Sequence, residues 1–248
     1  ARSKWGLLYA AFFLAATDAL FRFGGTGDRV VLSLMNVVLL VIPLTSIVLG
    51  AMYLYSSREY IELLLSQPIE RRSLFRGLFA GLALPLAAAF VAGVALPFLY
   101  HGALNGPTAL PLLLLLATGV QLTVIFVALA FVIALATEDR IKGLGIALVA
   151  WLFLATLYDG LVLAFIHAFA DFPLQKPVIA FSLLNPVDLG RILLLLELDA
   201  SALMGVTGAV FRRFFGSGLG LAVTATALFA WLAIPFLLGQ RAFARKNF

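Results

Sequence analysis

The chain has 248 residues, of which 63% are hydrophobic and only 12% carry a charged side chain. This composition, with a mean hydropathy of +1.10, excludes a soluble domain of average make-up, and the lack of cysteine excludes a disulfide framework or a thiolate metal site. The formal net charge of +5 is modest and does not require a nucleic-acid partner, because a bias of lysine and arginine towards one membrane face accounts for it.

Six apolar segments are each long enough to cross the hydrocarbon core, which takes about 20 residues. We predict helices, because lipid-exposed backbone must satisfy its own hydrogen bonds and because the segments lack the alternation of a membrane β-barrel. The first segment is too long for the apolar region of a signal peptide, so we interpret it as a retained span. The predicted spans are about Trp5–Phe21, Val30–Tyr55, Leu78–Tyr100, Leu110–Ala136, Leu144–Phe169 and Gly218–Leu238.

The charged residues of the connections set the predicted orientation. If the N-terminus lies inside, the inner face holds 11 of the 17 lysines and arginines. The positive-inside rule therefore predicts a multi-pass protein of a bacterial inner membrane with both termini in the cytoplasm. The eleven residues are Arg2, Lys4, Arg58, Arg71, Arg72, Arg76, Arg140, Lys142, Arg241, Arg245 and Lys246.

A polar run, SSREYIELLLSQPIERRSLFRG (residues 56–77), connects spans two and three. An apolar stripe at i, i+3 and i+4 predicts a short amphipathic helix over about 57–67, and its members are Ile61, Leu64 and Leu65. Arg58 and Glu62 are spaced as an i,i+4 ion pair, and Pro68 should end the helix. Two interpretations stay open on this pattern alone: a helix lying in the lipid headgroups, and a docking helix for a cytoplasmic partner.

The same run resembles the element that follows the second span in permeases of the ABC-2 type. In that family a helix reading roughly E-x-x-x-x-L-L-x-x-P-[IV]-x-R-x-x-[IL] contacts the ATP-binding subunit. The matching positions here are Glu59, Leu64, Leu65, Pro68, Ile69, Arg71 and Leu74. The six-span layout also fits, so the resemblance covers nearly the whole chain; the usual amphipathic helix before span one is absent or cut to Ala1–Lys4.

This resemblance implies an all-α polytopic membrane protein, an ABC-2 (type V exporter-like) permease with a cytoplasmic coupling helix. It implies a separate ABC ATPase that holds ATP and magnesium, no cofactor in this chain, and a homodimer of the permease. The residues that it assigns to ATPase docking are Glu59, Ile61, Glu62, Leu64, Leu65, Gln67, Pro68 and Arg71.

A second, narrower resemblance lies before span six. The run LLNPVDLGRILLLLELD (residues 183–199) is similar to one in NosY-type permeases of the nitrous oxide reductase maturation system. Asn185 can cap a helix with Pro186 at its first position and Asp188 in its first turn, and Asp199 can cap another short helix. A seventh span is disfavoured because it would be short and would bury three charged residues, Arg191, Glu197 and Asp199.

We therefore predict amphipathic helices over about 185–213 lying at the outer surface. The resemblance implies that a periplasmic NosD-like partner binds there. The predicted contact residues are Asn185, Pro186, Asp188 and Arg191.

The residues show no catalytic or metal site. No phosphate-binding loop occurs, so ATP must be held elsewhere. His101 and His167 lie near the outer ends of spans without a carboxylate at helical spacing, and the three methionines, which could be soft copper ligands, are scattered. We predict a non-enzymatic subunit without a metal cage.

Polar residues within the spans are costly in lipid and are candidates for function. Asn36, Gln121 and Asp159 are predicted either to line a polar cavity or to form hydrogen bonds between helices. Asp18 lies nearer the outer end of span one.

The predicted function is the membrane subunit of an ATP-driven transporter, serving copper-enzyme maturation with either the metal or another species, such as sulfur, as cargo. A generic ABC-2 exporter of a lipid, drug or other small molecule is the alternative. An ion-coupled secondary transporter would call for paired half-helices or inverted repeats. An intramembrane enzyme would call for a cluster of His, Asp or Glu at one depth.

Overall fold

The computed structural model describes residues 2–24, 26–104, 108–169, 175–197 and 218–246, and within these ranges the chain is helical with no strand. A π-helical turn, Phe153–Leu157, joins two of the helices. Asp199 and the predicted outer helices beyond residue 197 lie outside the described residues. The helices are α1 Arg2–Gly24, α2 Gly27–Ser56, α3 Arg58–Leu65, α4 Arg71–Tyr100, α5 Ala109–Ala136, α6 Arg140–Leu152, α7 Tyr158–Ala168, α8 Gln175–Leu183, α9 Pro186–Glu197 and α10 Gly218–Arg245.

Within the described ranges, six helices are long and apolar enough to cross a membrane, which confirms the six-span, all-α prediction. They are α1, α2, α4, α5, the continuous α6–α7 helix and α10. Some helices extend past the predicted spans. α4 begins at Arg71 rather than at Leu78, because arginines continue the helical backbone where hydropathy falls.

The centre of the bundle is the packing of α5 against α2, with α4 and α10 on its other sides. α5 buries large side chains such as Phe126 and Phe131 completely. Phe75 of α4 meets Phe131 at a ring-centroid distance of 5.8 Å and Phe236 of α10 at 5.5 Å. These contacts tie α4, α5 and α10 together near the end of the bundle that carries α3.

Polar contacts between α1 and α4 lie at the opposite end. The Asp18 carboxylate accepts hydrogen bonds from the Tyr100 hydroxyl (2.6 Å) and pairs with His101 Nε2 (3.2 Å) and Arg22 Nε (2.8 Å). His101 thus has a carboxylate partner, which lies on another helix rather than at helical spacing along α4.

Because α1 and α4 end side by side, α1 begins at the same end as α3. The helix α10 also terminates there, and we call this end of the bundle the α3 end.

Candidate functional site

The helix α3 lies against the bundle by one face. Ile61 is fully buried and belongs to the main core, Leu65 packs on that core, and Leu64 is half-buried. The predicted apolar stripe therefore faces the permease's own helix ends. Its burial holds α3 at a fixed position on the bundle.

The opposite face of α3 is exposed and combines acidic and apolar groups. Tyr60 and Leu63, which are one turn apart, are 54% and 62% exposed, and neither was singled out by the stripe pattern. The exposed residues around them are Glu59, Glu62, Gln67 and Pro68. A convex helix face with two large apolar side chains ringed by polar ones is suited to bind another protein.

The Arg58 side chain joins α3 to the second connection at this end. Its guanidinium donates hydrogen bonds to the backbone carbonyl oxygens of Glu138 (2.9 Å) and Thr137 (3.2 Å), and it lies 4.8 Å from the Tyr55 ring centroid. The Tyr55 hydroxyl donates to the same Thr137 carbonyl (2.9 Å). In the part of the chain that the structure describes, the predicted ion pair between Arg58 and Glu62 is not formed, because the guanidinium is engaged at these carbonyls.

A second set of contacts holds the end of α10. Arg71 donates to the carbonyl oxygens of Ala244 (3.3 Å) and Lys246 (2.8 Å), and the Lys246 ammonium donates to Leu135 O (2.7 Å). Partial burial, and then the positive charge of Arg58, lowers the pKa of Lys246. Arg71 thus bonds the permease itself, which differs from the docking role that the resemblance implies.

The helices α8 and α9 form a sharply bent pair, with an angle of 111° between them. Their turn reaches the middle of the bundle: the Trp231 indole, midway along α10, donates to Leu183 O (3.2 Å). On α9, a Cβ atom at Gly190 would lie 2.7 Å from a methyl carbon of Thr118 on α5. Glycine permits this close approach, so α9 packs against the spanning helices.

For the described residues 185–197, this position corrects the expectation that the segment over about 185–213 lies at the outer surface. Asn185 is fully buried, and its side-chain amide donates to Leu154 O (2.8 Å) in the π-helical turn. Its side-chain oxygen accepts from Val187 N (3.0 Å), which confirms the predicted cap of α9. A buried Asn185 cannot contact a partner outside the membrane in this structure.

Three charged side chains meet beside α9. Arg191 donates to Asp159 of α7 and to Asp188 one turn earlier on α9 (3.3 Å). The side chains of Asp159, Arg191 and Asp188 are 33%, 29% and 14% exposed. The Arg191 guanidinium is paired with both carboxylates, which lowers the cost of placing this arginine of α9 among apolar helices. The structure thus unites a residue predicted to line a cavity with residues predicted to contact an outer partner.

The two predicted span amides lie apart from this cluster. Asn36 is exposed on α2, whereas Gln121 of α5 lines a shallow groove of about 550 Å³ against Leu232 of α10. Across the described ranges, three or more His, Asp or Glu side chains are nowhere grouped so as to hold a metal ion. The described residues therefore present two features: the short helix α3 with an exposed acidic and apolar face at one end of the bundle, and a charged cluster where the α8–α9 hairpin packs on the long helices.

Known proteins resemble this chain over its length. The model of the family described as "ABC-2 family transporter protein" matches residues 6–248. The chain is 27% identical over 254 residues to a protein of Pseudomonas aeruginosa named "Probable ABC transporter permease protein NosY", with 96% of this chain and 89% of that protein covered. A protein of the same name from Stutzerimonas stutzeri is 25% identical over 265 residues, covering 99% of this chain and 94% of the relative.

Proposed function

The chain belongs to the ABC-2 family of ABC transporter membrane proteins, and on that premise we propose that it binds a separate ABC ATPase through α3 and is moved by ATP hydrolysis there. ATP and magnesium belong to that ATPase, and this subunit carries no cofactor of its own. The α3 end, with both termini, faces the cytoplasm of a bacterial inner membrane.

The observation that carries the proposal is the division of α3 into two faces. Ile61 fixes the helix to the core, while Tyr60 and Leu63 point away from it. Exposed apolar side chains of this size favour a protein partner, and the flanking Glu59 and Glu62 would direct a basic groove onto them. The docking set is therefore Glu59, Tyr60, Glu62, Leu63 and Gln67; Ile61, Leu64, Leu65 and Pro68 shape the helix behind it.

The hydrogen bonds of Arg58 supply a route for movement. A displacement of α3 pulls on the carbonyls of Thr137 and Glu138, which connect α5 to α6. α5 in turn packs against α9 near Thr118. Movement at the ATPase is thereby passed to the embedded hairpin and its charged cluster.

The direct test replaces Leu63 by glutamate and measures copurification of the ATPase. A carboxylate pressed against an apolar groove costs several kcal/mol, about 2–7 by transfer scales, so the Leu63→Glu variant should insert and keep its melting temperature but lose the ATPase. The matched control is Ile141→Glu at the same end, where the parent side chain is 81% exposed and lies outside α3. Retention of the ATPase by the Leu63 variant at the parent level would leave α3 as a headgroup helix and refute the proposal.

We also propose that two copies of the chain form the transporter. One face of α2 is uncovered and carries Ser33, Asn36 and Leu40, and the adjacent span Arg140–Ala168 is only 11% buried against 61% for Ala109–Ala136. The side-chain amide of Asn36 would lack a hydrogen-bond partner if it faced lipid. A second copy packed on α2 and on the α6–α7 helix would provide such a partner.

The names of the two relatives support a narrower assignment within the family. We propose that the transporter serves nitrous oxide reductase maturation, together with a periplasmic NosD-like protein. Copurification with such a protein would support this assignment, and a complex of permease and ATPase alone would favour the alternative, a general ABC-2 exporter of a lipid, drug or other small molecule.

A further inference from the structure

A groove between α5 and α10 has no occupant among the described residues. It encloses about 490 Å³ and its ten lining residues are all apolar or aromatic. The single polar atom among their side chains, the Trp231 indole nitrogen, is already bonded to Leu183 O. The groove therefore selects hydrocarbon rather than a polar ligand.

The position of the groove places it in one leaflet of the membrane. Leu183 and Leu184, at the turn between α8 and α9, close it at mid-depth, and Leu129 and Leu238 line it nearer the α3 end. Ile234 and Leu238 are 57% and 50% exposed, so the groove opens sideways to the surrounding lipid.

The groove face of α10 continues into two arginines. Ala227, Ala230, Ile234 and Leu238 recur at helical spacing, and the same face next presents Arg241 and Arg245. Both arginines are exposed, and no hydrogen bond or ion pair of either is found within residues 218–246 or the other described ranges. An apolar slot that ends at two free guanidinium groups matches an amphiphile with an anionic head.

A second copy of the chain fits this groove less well. α10 packs mainly against α5, α4 and α9, whereas α6 packs on α2. The groove is thus separated by α5 from the α2 face assigned to the dimer.

We propose that the groove binds an acyl chain of an anionic phospholipid of the leaflet at the α3 end, with the phosphate held by Arg241 and Arg245. The site is independent of ATPase docking. The lipid fills the space on the side of the α8–α9 turn that faces the α3 end, and so packs against the embedded hairpin there.

Trp231 lines the groove and provides the readout. The chain has three tryptophans, Trp5, Trp151 and Trp231, so the Trp5→Phe, Trp151→Phe background leaves one fluorophore in the site. This full-length protein is placed in detergent micelles and titrated with phosphatidylglycerol or phosphatidylcholine carrying brominated chains. We expect phosphatidylglycerol to quench Trp231 at a lower mole fraction, by about fivefold for each arginine.

Two pairs of variants separate the head from the chain. Arg241→Gln with Arg245→Gln should remove the preference for phosphatidylglycerol, while Arg76→Gln, an exposed arginine at the same end on α4, should leave it intact. Ala230→Phe should fill the groove and weaken quenching by both lipids, and Ala225→Phe, on the opposite side of α10, should not.

Equal quenching by the two lipids in the parent, or an unchanged preference in the double arginine variant, would overturn the proposal. The mass of the Ala230→Phe variant in detergent gives an independent check. A shift from dimer to monomer would assign the groove to a second copy and likewise overturn the lipid site.

Discussion

Gly143 lies against Tyr55 so closely that a side chain at position 143 would overlap the tyrosine hydroxyl oxygen. The contact joins the first turn of α6 to the last turn of α2. The same hydroxyl donates to Thr137 O (2.9 Å), so one tyrosine fixes both the helix and the connection that precedes it.

Gly143→Ala is therefore expected to destabilise the α3 end by about 1–3 kcal/mol, since the overlap forces Tyr55 to move. The measurement is the melting temperature in detergent. Gly145→Ala, two residues later in α6, is the matched control because a Cβ atom there meets no neighbour within 4 Å. Equal melting temperatures for the two variants would show that Tyr55 relocates freely.

Arg58→Gln should loosen α3 and the second connection together. The substitution removes charge-assisted hydrogen bonds to Thr137 and Glu138, with an expected loss of about 1 kcal/mol at this partly exposed site. Amide hydrogen exchange should rise both in residues 58–65 and in residues 137–139. Arg72→Gln, at an exposed position on α4, should leave both segments unchanged, and a rise confined to α3 would contradict the proposed route of movement.

Asp159→Asn should impair transport-linked function while the protein still assembles. The amide keeps the shape of the side chain, and Arg191 retains Asp188 as a counter-charge. We expect a loss of about 1–2 kcal/mol in unfolding free energy, smaller than for a pair left wholly unpaired. Asp159→Asn, Asp188→Asn and Arg191→Gln together remove all three charges of the cluster, so recovery of stability without recovery of function would separate the two roles; a single variant that fails to fold would make the cluster purely structural.

Asn36→Leu should weaken the dimer. An interhelical hydrogen bond in a membrane contributes about 0.6–2 kcal/mol, which corresponds to about a 3–30-fold change in dissociation constant. The mass of the complex across a detergent dilution series gives the measurement. Gln121→Leu removes a span amide instead from the separate, shallow groove that Leu232 borders, and equal dissociation of the two variants would exclude Asn36 from the interface.

The six spans could be predicted because hydrocarbon imposes one requirement, a long apolar helix, which composition alone reveals. The place of α9 could not be predicted by the same reasoning. Within its own segment Arg191 has Asp188 as a carboxylate at helical spacing, but the second carboxylate that it pairs with belongs to α7, 32 residues away. Likewise, helical spacing could not find the carboxylate that pairs with His101, because Asp18 lies on α1.

The exposed face of α3 shows a second limit of what sequence patterns can predict. The stripe of Ile61, Leu64 and Leu65 predicted an amphipathic helix, but this pattern does not show which face of the helix a partner covers. Only the burial of Ile61 shows that the bundle covers that stripe, and it leaves Leu63 on the exposed face that we propose for the ATPase. The signal for Leu63 was its position as a large apolar residue on the charged side of the helix.

The π-helical turn at Phe153–Leu157 accommodates one more residue than a regular helical turn, and the Tyr158 amide accordingly donates to Phe153 O. Each residue of an α-helix rotates the following side chains by about 100°. Before the turn, the Trp151 indole donates to Leu40 O on α2 (3.1 Å); after it, Asp159 meets Arg191. If one residue of the turn were deleted to give a regular helix, the side chains beyond it would rotate, and only one of these two contacts could form. The extra residue therefore sets the rotation of α7 relative to α6, so that the first half of this span contacts α2 and its second half contacts the hairpin.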